Sequence, residues 1–544
     1  MNQSLTVPGT PADVGGPDAR SGPTPRSVTD NVIHRTLFDR PVSTKRGDSW
    51  WLRRCLRVLA LPAIAAGLAA QEAQPHLTLD DAVRLALANN RSIKVDAFTR
   101  AAAKADLLAA YGAFDPALNF NRSYGQSFSG YFTSIGTGII PSTTFSQSDT
   151  YSLGIGGLTP WGLQYSVGGT SQNQRGSYNG FTNSFMTFGG IQVTQPLLRG
   201  FGFSGSSANL GLRVAKSDRA ISEWQYRQTV IDTITNVVVA YSNLAAANAT
   251  LRTALHSRDL AAGLVTENQK RFKVGSMSEN DVTSARAQAA FLEQGIIFAT
   301  QGVRNADNQL RLLLGEKAFS NDGPLLAIDT PPPQDLTLNV IADLKRSYEL
   351  RPDFQQARFG VDKSRYNSAH ARNQLLPQAN FVGSYGYTGL DQSFATSRSK
   401  VADQDHRSFS AGLDISIPLT FAQGRGNARA ARLRLRHDEE NLESLKESIA
   451  LRVTQAAGQV ETTRKSVEAA RAALDLAQKT ADDELKKLRA GASNTFYVLR
   501  VQESLAQAEA GYYQALADQR SAVAYYDREI GTTLERYHVV LRAE

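Results

Sequence analysis

Cysteine is almost missing from this chain of 544 residues, where Cys55 stands alone. Disulfides, thiolate metal sites and thiol catalysis are thereby excluded downstream of it. An excess of charge of one sign is missing too. The formal net charge is +8, but residues 1–70 hold nine Lys/Arg against five Asp/Glu, so the remainder carries only +4. That is too little for a nucleic-acid-binding stripe. His76, His256, His370, His406, His437 and His538 are dispersed, without the H-E-x-x-H or paired i, i+4 spacing that zinc requires. No metal, cofactor or catalytic constellation is expected, and the chain does not read as an enzyme.

Arg53, Arg54 and Arg57 precede an apolar run from Val58 to Ala70. This is the layout of a secretory signal, and the run is too short to span a bilayer as a retained helix. Cleavage after Ala69 or Ala73 fits. Leu52-Arg53-Arg54-Cys55 lacks the apolar and small residues that precede a lipidated cysteine, so no lipid anchor is expected. Residues 1–46, rich in Pro and Gly, read as a disordered extension and 47–70 as the signal peptide. An exported chain without cysteine suits a bacterial envelope protein.

The chain carries one short pattern twice, 216 residues apart: Arg271-Phe272-Lys273-Val274-Gly275 leading to Val282, and Lys487-Leu488-Arg489-Ala490-Gly491 leading to Val498. Each copy lies between long Ala-rich helical stretches, so each reads as a tight helical hairpin closed by glycine. Ser207 to Lys273 contains no proline and predicts one helix of up to 67 residues. At 1.5 Å per residue it is roughly 100 Å long, which demands a coiled coil or a tube.

Helix is expected from Leu77 to about Gly112, from Ser278 to Leu314, up to Asn373 with a break at Arg351-Pro352-Asp353, from about Asn427 to Arg489, and from Thr495 to Ile530. Alternating segments lie at Leu118 to Tyr124, Tyr151 to Ile155, Leu163 to Val167, Ile191 to Thr194, Asn380 to Tyr387 and Phe409 to Ile417. Ser127 to Thr150 and Ser171 to Asn183, rich in Ser, Thr, Gly and Asn, read as exposed loops. The order helix, strands, long helix, tip, shorter helix thus occurs twice, in residues 77–320 and 337–531, with a linker at 321–336 and a tail at 532–544. A handful of strands cannot close a barrel in lipid, so several chains are expected to share one.

This order, with Gln195-Pro196-Leu197-Leu198-Arg199-Gly200 closing the first strand group, resembles the TolC-type outer membrane efflux protein family over residues 77–531. The resemblance implies a membrane α+β fold with two structural repeats per chain. It implies a homotrimer whose outer-membrane β-barrel is continuous with a periplasmic α-helical coiled-coil barrel. It also implies an exit duct for efflux or type I secretion, passive, docked to an inner-membrane transporter through a periplasmic adaptor. A stand-alone porin and a structural coiled coil are the alternatives. The first leaves the 67-residue helix unexplained, the second the aromatic strands.

By the same resemblance, Gly275 and Gly491 are the tip turns that meet the adaptor, with Arg271, Phe272, Val274, Ser276, Leu488, Ala490, Ala492 and Ser493 beside them. The acidic ring that some members carry after the second tip is absent, since its positions hold Tyr497 and Arg500. A gate from Tyr497, or from Arg500 with Asp281, is the substitute reading. From Pro116 to Pro196 is 80 residues, but from Pro377 to Pro418 only 41. The surplus is either an additional barrel hairpin or a longer extracellular loop. Trp161 in the turn Leu158-Thr159-Pro160-Trp161-Gly162 favours the hairpin, giving six strands per chain instead of four. Gly200-Phe201-Gly202-Phe203-Ser204-Gly205 matches G-x-G-x-x-G, but the helix that follows is far too long for a dinucleotide-binding unit.

Overall fold

The computed structural model describes residues 76–136, 138–315, 326–327 and 338–541. The expected extension, signal segment and Cys55, with most of the 321–336 linker, lie outside the described residues. The described residues begin with β1 (His76–Leu77), α1 (Leu79–Asn89) and α2 (Arg91–Tyr111). Four strands follow: β2 (Ala117–Ile135), β3 (Gly138–Leu158), β4 (Gln164–Gly176) and β5 (Ser184–Pro196). A short α3 (Gly202–Gly205) leads into α4 (Ser207–Lys273) and α5 (Glu279–Leu314). Next come β6 (Leu326–Ala327), α6 (Val340–Leu350), α7 (Pro352–Asn373), β7 (Gln378–Asp391), α8 (Phe394–Ala402) and β8 (Arg407–Ser416). The chain continues through α9 (Ala422–Arg489), α10 (Thr495–Ile530) and α11 (Thr533–Arg536).

The long helices α4 and α9 have 67 and 68 residues, and α5 and α10 have 36 each. α4 starts where Ser206 Oγ accepts from Asn209 N–H, satisfying one orphan donor of its first turn. α9 starts at Ala422, five residues before the expected start near Asn427, directly after Phe421 turns the chain at φ 51°.

Shorter helices meet beside each long one, and polar side chains fasten both joints. Asn90 is buried between α1 and α2; its Oδ1 accepts from Ser92 N–H at 2.9 Å while its Nδ2 donates to Leu313 O at 2.9 Å at the end of α5. This residue breaks the helix expected to run unbroken to Gly112, because its ψ of 130° leaves the helical region and frees the side chain to cap α2. At the other joint Arg351, between α6 and α7, donates through Nη1 to Glu529 O at 2.7 Å near the end of α10.

All strands from β2 to β5 and β7 to β8 form one antiparallel sheet in the order β2-β3-β4-β5-β7-β8. The surplus residues of the first half therefore add strands to the sheet. Two sequence expectations need correction here. Ser127 to Thr150 is a hairpin, since β2 and β3 pair without interruption from Ala117↔Gly156 to Ile135↔Gly138. Of Ser171 to Asn183, residues 171–176 belong to β4 and only 177–183 form a loop. Their Ser, Thr and Gly content is loop-like, but strand pairing satisfies the backbone groups, and a sheet face that meets water needs no apolar side chains.

The turn around Trp161 sits at the helical end of the sheet, where its carbonyl accepts from Gly202 N–H at 3.0 Å. Buried clusters lie where the short helices meet the long ones. One joins α1, α4, α5, α10 and α11 through Ile231, Tyr241, Leu244 and Leu310. The other joins α6, α7, α9 and α10 through Ile449, Val453 and Tyr526. Residues after 531 pack into the first cluster through Leu534, Val539 and Leu541.

Candidate functional site

Each tip is built by the same backbone chemistry. Helix α4 ends with Lys270, Arg271 and Lys273 in its last turn, where cations complement the helix dipole. Gly275, at φ +75°, donates to Phe272 O at 3.0 Å, and Ser276 N–H donates to Arg271 O at 2.9 Å. Helix α9 ends with Lys486, Lys487 and Arg489, and Gly491 has the same φ of +75°. Gly491 donates to Leu488 O at 3.1 Å and Ala492 N–H to Lys487 O at 2.8 Å. Glycine is the residue that reaches this left-handed conformation without a Cβ clash, so both turns close with two capping bonds.

The outgoing helices are capped differently. Ser278 Oγ accepts from Asp281 N–H at 3.2 Å, and Asp281 Oδ2 accepts from Ser278 Oγ at 2.6 Å. Asn494 Oδ1 accepts from Tyr497 N–H at 3.1 Å. The first-tip Asp281 is thus a capping residue, and among the described residues of one chain it forms no ion pair with Arg500. Tyr497 and Arg500 are exposed. Glu484 accepts from Ser493 Oγ–H and, at 3.1 Å, from Lys487 Nζ, and these donors hold its carboxyl below the ordinary glutamate range.

A polar contact missed in the sequence joins the two tips. Asn268 is 1% exposed and its Nδ2 donates to Thr495 Oγ1 at 3.1 Å, with Thr495 only 2% exposed. Leu264, Leu488, Val498 and Leu499 pack around this bond. A polar residue in the apolar stripe of a coiled coil fixes register, and Asn268 lies seven residues before the tip glycine on that stripe. That spacing was the available signal. Outward from this small core stand Val274 (79% exposed), Phe496, Tyr497 and Phe272. Phe272, Val274, Gly275, Gly491 and Ala492 are all at the surface, Ser276 and Ala490 beside them, while Leu488 turns inward.

The sheet divides its two faces by chemistry. Register places Leu118, Phe120, Tyr124, Leu153, Ile155, Val167, Ile191, Tyr385 and Phe409 on one face. The opposite face of β2 to β4 carries Asn119, Asn121, Ser123, Ser148, Thr150, Ser152, Gln172 and Gln174, although β5 and β7 add Met186, Phe188, Val382 and Leu390 there. Large apolar residues on the first face stay solvent-exposed in the single chain, Phe120 at 69% and Phe409 at 70%. Such a band marks a surface that meets something other than water.

Comparison with known proteins agrees with this geometry. The family model described as outer membrane efflux protein matches residues 161–316 and 344–528. Outer membrane protein TolC of Escherichia coli is 26% identical over 314 residues, covering 55% of this chain and 60% of that protein. TolC of Salmonella enteritidis is 25% identical over 311 residues with the same coverage. The match thus spans about 60% of the length of these curated relatives. Among solved structures, the outer-membrane channel OprN superposes with a TM-score of 0.62 at 17% identity, over 83% of this chain and 89% of that one. CusC gives 0.60 at 17% identity over 84% and 93%. The Campylobacter jejuni CmeC channel gives 0.59 at 15% identity over 84% and 86%. The chain is an outer-membrane protein and belongs to the outer membrane efflux protein family.

Proposed function

We propose that the chain is one third of an outer-membrane exit duct, passively conducting substrates delivered by an inner-membrane transporter through a periplasmic adaptor. The observation that carries this reading is a six-stranded sheet whose edges at β2 and β8 are unpaired among the described residues, continuous with helices of 67 and 68 residues. An unpaired strand edge is not tolerated in hydrocarbon, so the sheet must close with copies of itself. Three copies of this sheet make eighteen strands, and barrels of about 16–18 strands enclose an aqueous channel. The polar face then lines the lumen and the aromatic face meets lipid. The helices form a periplasmic tunnel, two repeats per chain at 77–320 and 337–531 joined by the 321–336 linker.

At the tunnel's far end, the exposed Val274, Phe272 and Ser276 of the first tip and Ala490 and Ala492 of the second, with the half-buried Ser493 beside them, offer a surface for an adaptor's helical hairpins, with Gly275 and Gly491 allowing close backbone approach. Tyr497, Arg500 and Asp281 are proposed to line the aperture. Native mass spectrometry of the detergent-extracted protein, paired with single-channel recording, tests the whole reading. A trimer that conducts is expected; a folded monomer overturns shared closure. Tyr497→Ala should raise conductance, and an unchanged value removes Tyr497 from the gate.

A further inference from the structure

Helix α8 is out of place for a loop between two barrel strands. It lies on the aromatic face of the sheet, across β5 and β7, and it is built in at both ends and along its middle. Ser397 is fully buried, its Oγ within 2.8–3.0 Å of Gly389 O, Thr187 Oγ1 and Phe185 O. Glycines clear the space beneath: a Cβ on Gly389 would meet Ser397 O at 2.0 Å, and one on Gly189 would meet Val401 Cγ1 at 2.8 Å. The Phe394 ring lies tilted against Phe185 with centroids 6.0 Å apart, and Lys400 Nζ closes the far end on Asp391 at 2.8 Å and Leu390 O at 2.9 Å.

Between this helix and β2 to β5 lies a cavity of about 570 Å³, lined by Phe120, Tyr151, Leu153, Phe185, Phe394 and Arg398 among others. That is within the ~300–1,000 Å³ of small-ligand sites. Its level in the sheet can be read from the register. Phe120 and Leu153 pair within the aromatic band; the next pair on the same face is Arg122 with Tyr151. There Arg122 Nη2 meets Asp149 Oδ2 at 3.1 Å and Tyr151 Oη donates to Asp149 at 2.7 Å. Ion pairs on a lipid-facing surface belong at headgroup depth. The cavity therefore runs from hydrocarbon to headgroup. At its margin Arg398 is exposed, and among the described residues it has no carboxylate partner.

We propose that this crevice holds one acyl chain of a phosphate-bearing lipid from the surrounding bilayer, with the lipid phosphate on Arg398. An aromatic slot accepts the chain, and the unpaired guanidinium, suited to bidentate phosphate contact, selects the headgroup. The proposal rests on the reading that the aromatic face meets lipid, so the experiment reports on both. The purified full-length oligomer is mixed with phosphatidylglycerol or with diacylglycerol, which has the same chains and no phosphate, in detergent micelles and examined by native mass spectrometry, and the same preparation is tested for conductance in planar bilayers.

The expected result is one tightly retained phosphatidylglycerol per chain. Arg398→Gln should weaken that retention by about tenfold, the scale of one charge-assisted hydrogen bond, and leave diacylglycerol unaffected. Leu153→Trp, which fills the cavity from an exposed position, should abolish retention of both lipids. Conductance should be unchanged in either variant. A conducting protein that retains neither lipid, or that retains both equally with and without Arg398, overturns the lipid site while leaving the duct intact. A protein that forms no conducting pore overturns the duct, and the site with it.

Discussion

The belt where short helices meet long ones and the pair of tips are made from the same four helices, yet they are built to opposite ends. In the belt, Tyr241 is completely buried and its hydroxyl donates to Leu77 O at 2.9 Å, while Ile231, Leu244, Leu310 and Ile449 surround it and its neighbour cluster. Charged residues tie the same level together. Arg351 binds Asp353 at 2.7 Å and also Glu529; Arg452 reaches Asp353 at 3.1 Å and Glu529 at 3.2 Å; Arg528 reaches Asp232 at 2.6 Å. Burial pushes Asp353 up, but the guanidinium of Arg351 outweighs it and holds the carboxyl below its ordinary value. At the tips, a cluster of four apolar residues and the Asn268–Thr495 bond hold one hairpin to the other. Low local stability is what a movable element requires. The belt carries most of the buried packing between the helices, and the tips carry little of it.

Cutting the belt's ion network should have the largest effect on that contrast. Arg351→Ala leaves Glu529 and Asp353 without their buried partner and should cost about 3–5 kcal/mol, lowering the thermal midpoint of the whole helical region. If only the tips loosen in hydrogen exchange, the belt does not hold the fold.

The belt should also respond to pH. Asp527 is 1% exposed, and burial pushes its carboxyl from an ordinary 3.8 up to about 6, although Arg536 and a hydrogen bond from Thr532 pull it back. Protonation therefore favours the folded state. An increment of up to about 3 kcal/mol is fully present below the ordinary carboxylate range and is lost as pH rises through about 6. Asp527→Asn should flatten that part of the profile of thermal midpoint against pH; an unchanged slope assigns the titration elsewhere.

Glycine substitutions probe belt and tip at equal backbone geometry. Gly491 at a tip has φ +75° and open space where a methyl would be added, whereas Gly531 in the belt has φ +81° and would place a Cβ 2.8 Å from Leu350 Cβ. Gly531→Ala should cost about 2–3 kcal/mol from strain plus overlap, and Gly491→Ala only about 1 kcal/mol from strain. Equal losses in thermal unfolding would remove packing from the explanation. An effect as small as that of Gly491→Ala is expected at Asn268. Asn268→Ala should cost about 1 kcal/mol and speed amide exchange only near Asp281 and Thr495, leaving the belt protected.

Much of the helical part was legible because its signals are local. The boundaries Ser207 to Lys273 and Thr495 to Ile530, and the glycine at each tip, follow from residue type and spacing. The long β2–β3 hairpin was partly missed: its aromatic residues Phe120, Tyr124 and Phe128 recur every fourth residue, and Ser, Gly and Asn between them carry a loop-like composition. Helix α8 went unread, since Phe394-Ala395-Thr396-Ser397-Arg398 has no helical stripe strong enough to announce itself.

Residue order along the chain was enough for the export leader as an expectation, the helix lengths, the two tips and the absence of cysteine chemistry, because periodicity, glycine placement and composition act within a few residues. Folding in three dimensions was needed for Asn268 to meet Thr495 across 227 positions, for Arg351 and Glu529 to share a network, and for Ser397 to seat a helix on the aromatic face of the sheet. Those contacts depend on which distant backbones come within hydrogen-bond reach, and no local preference of a residue records that distance.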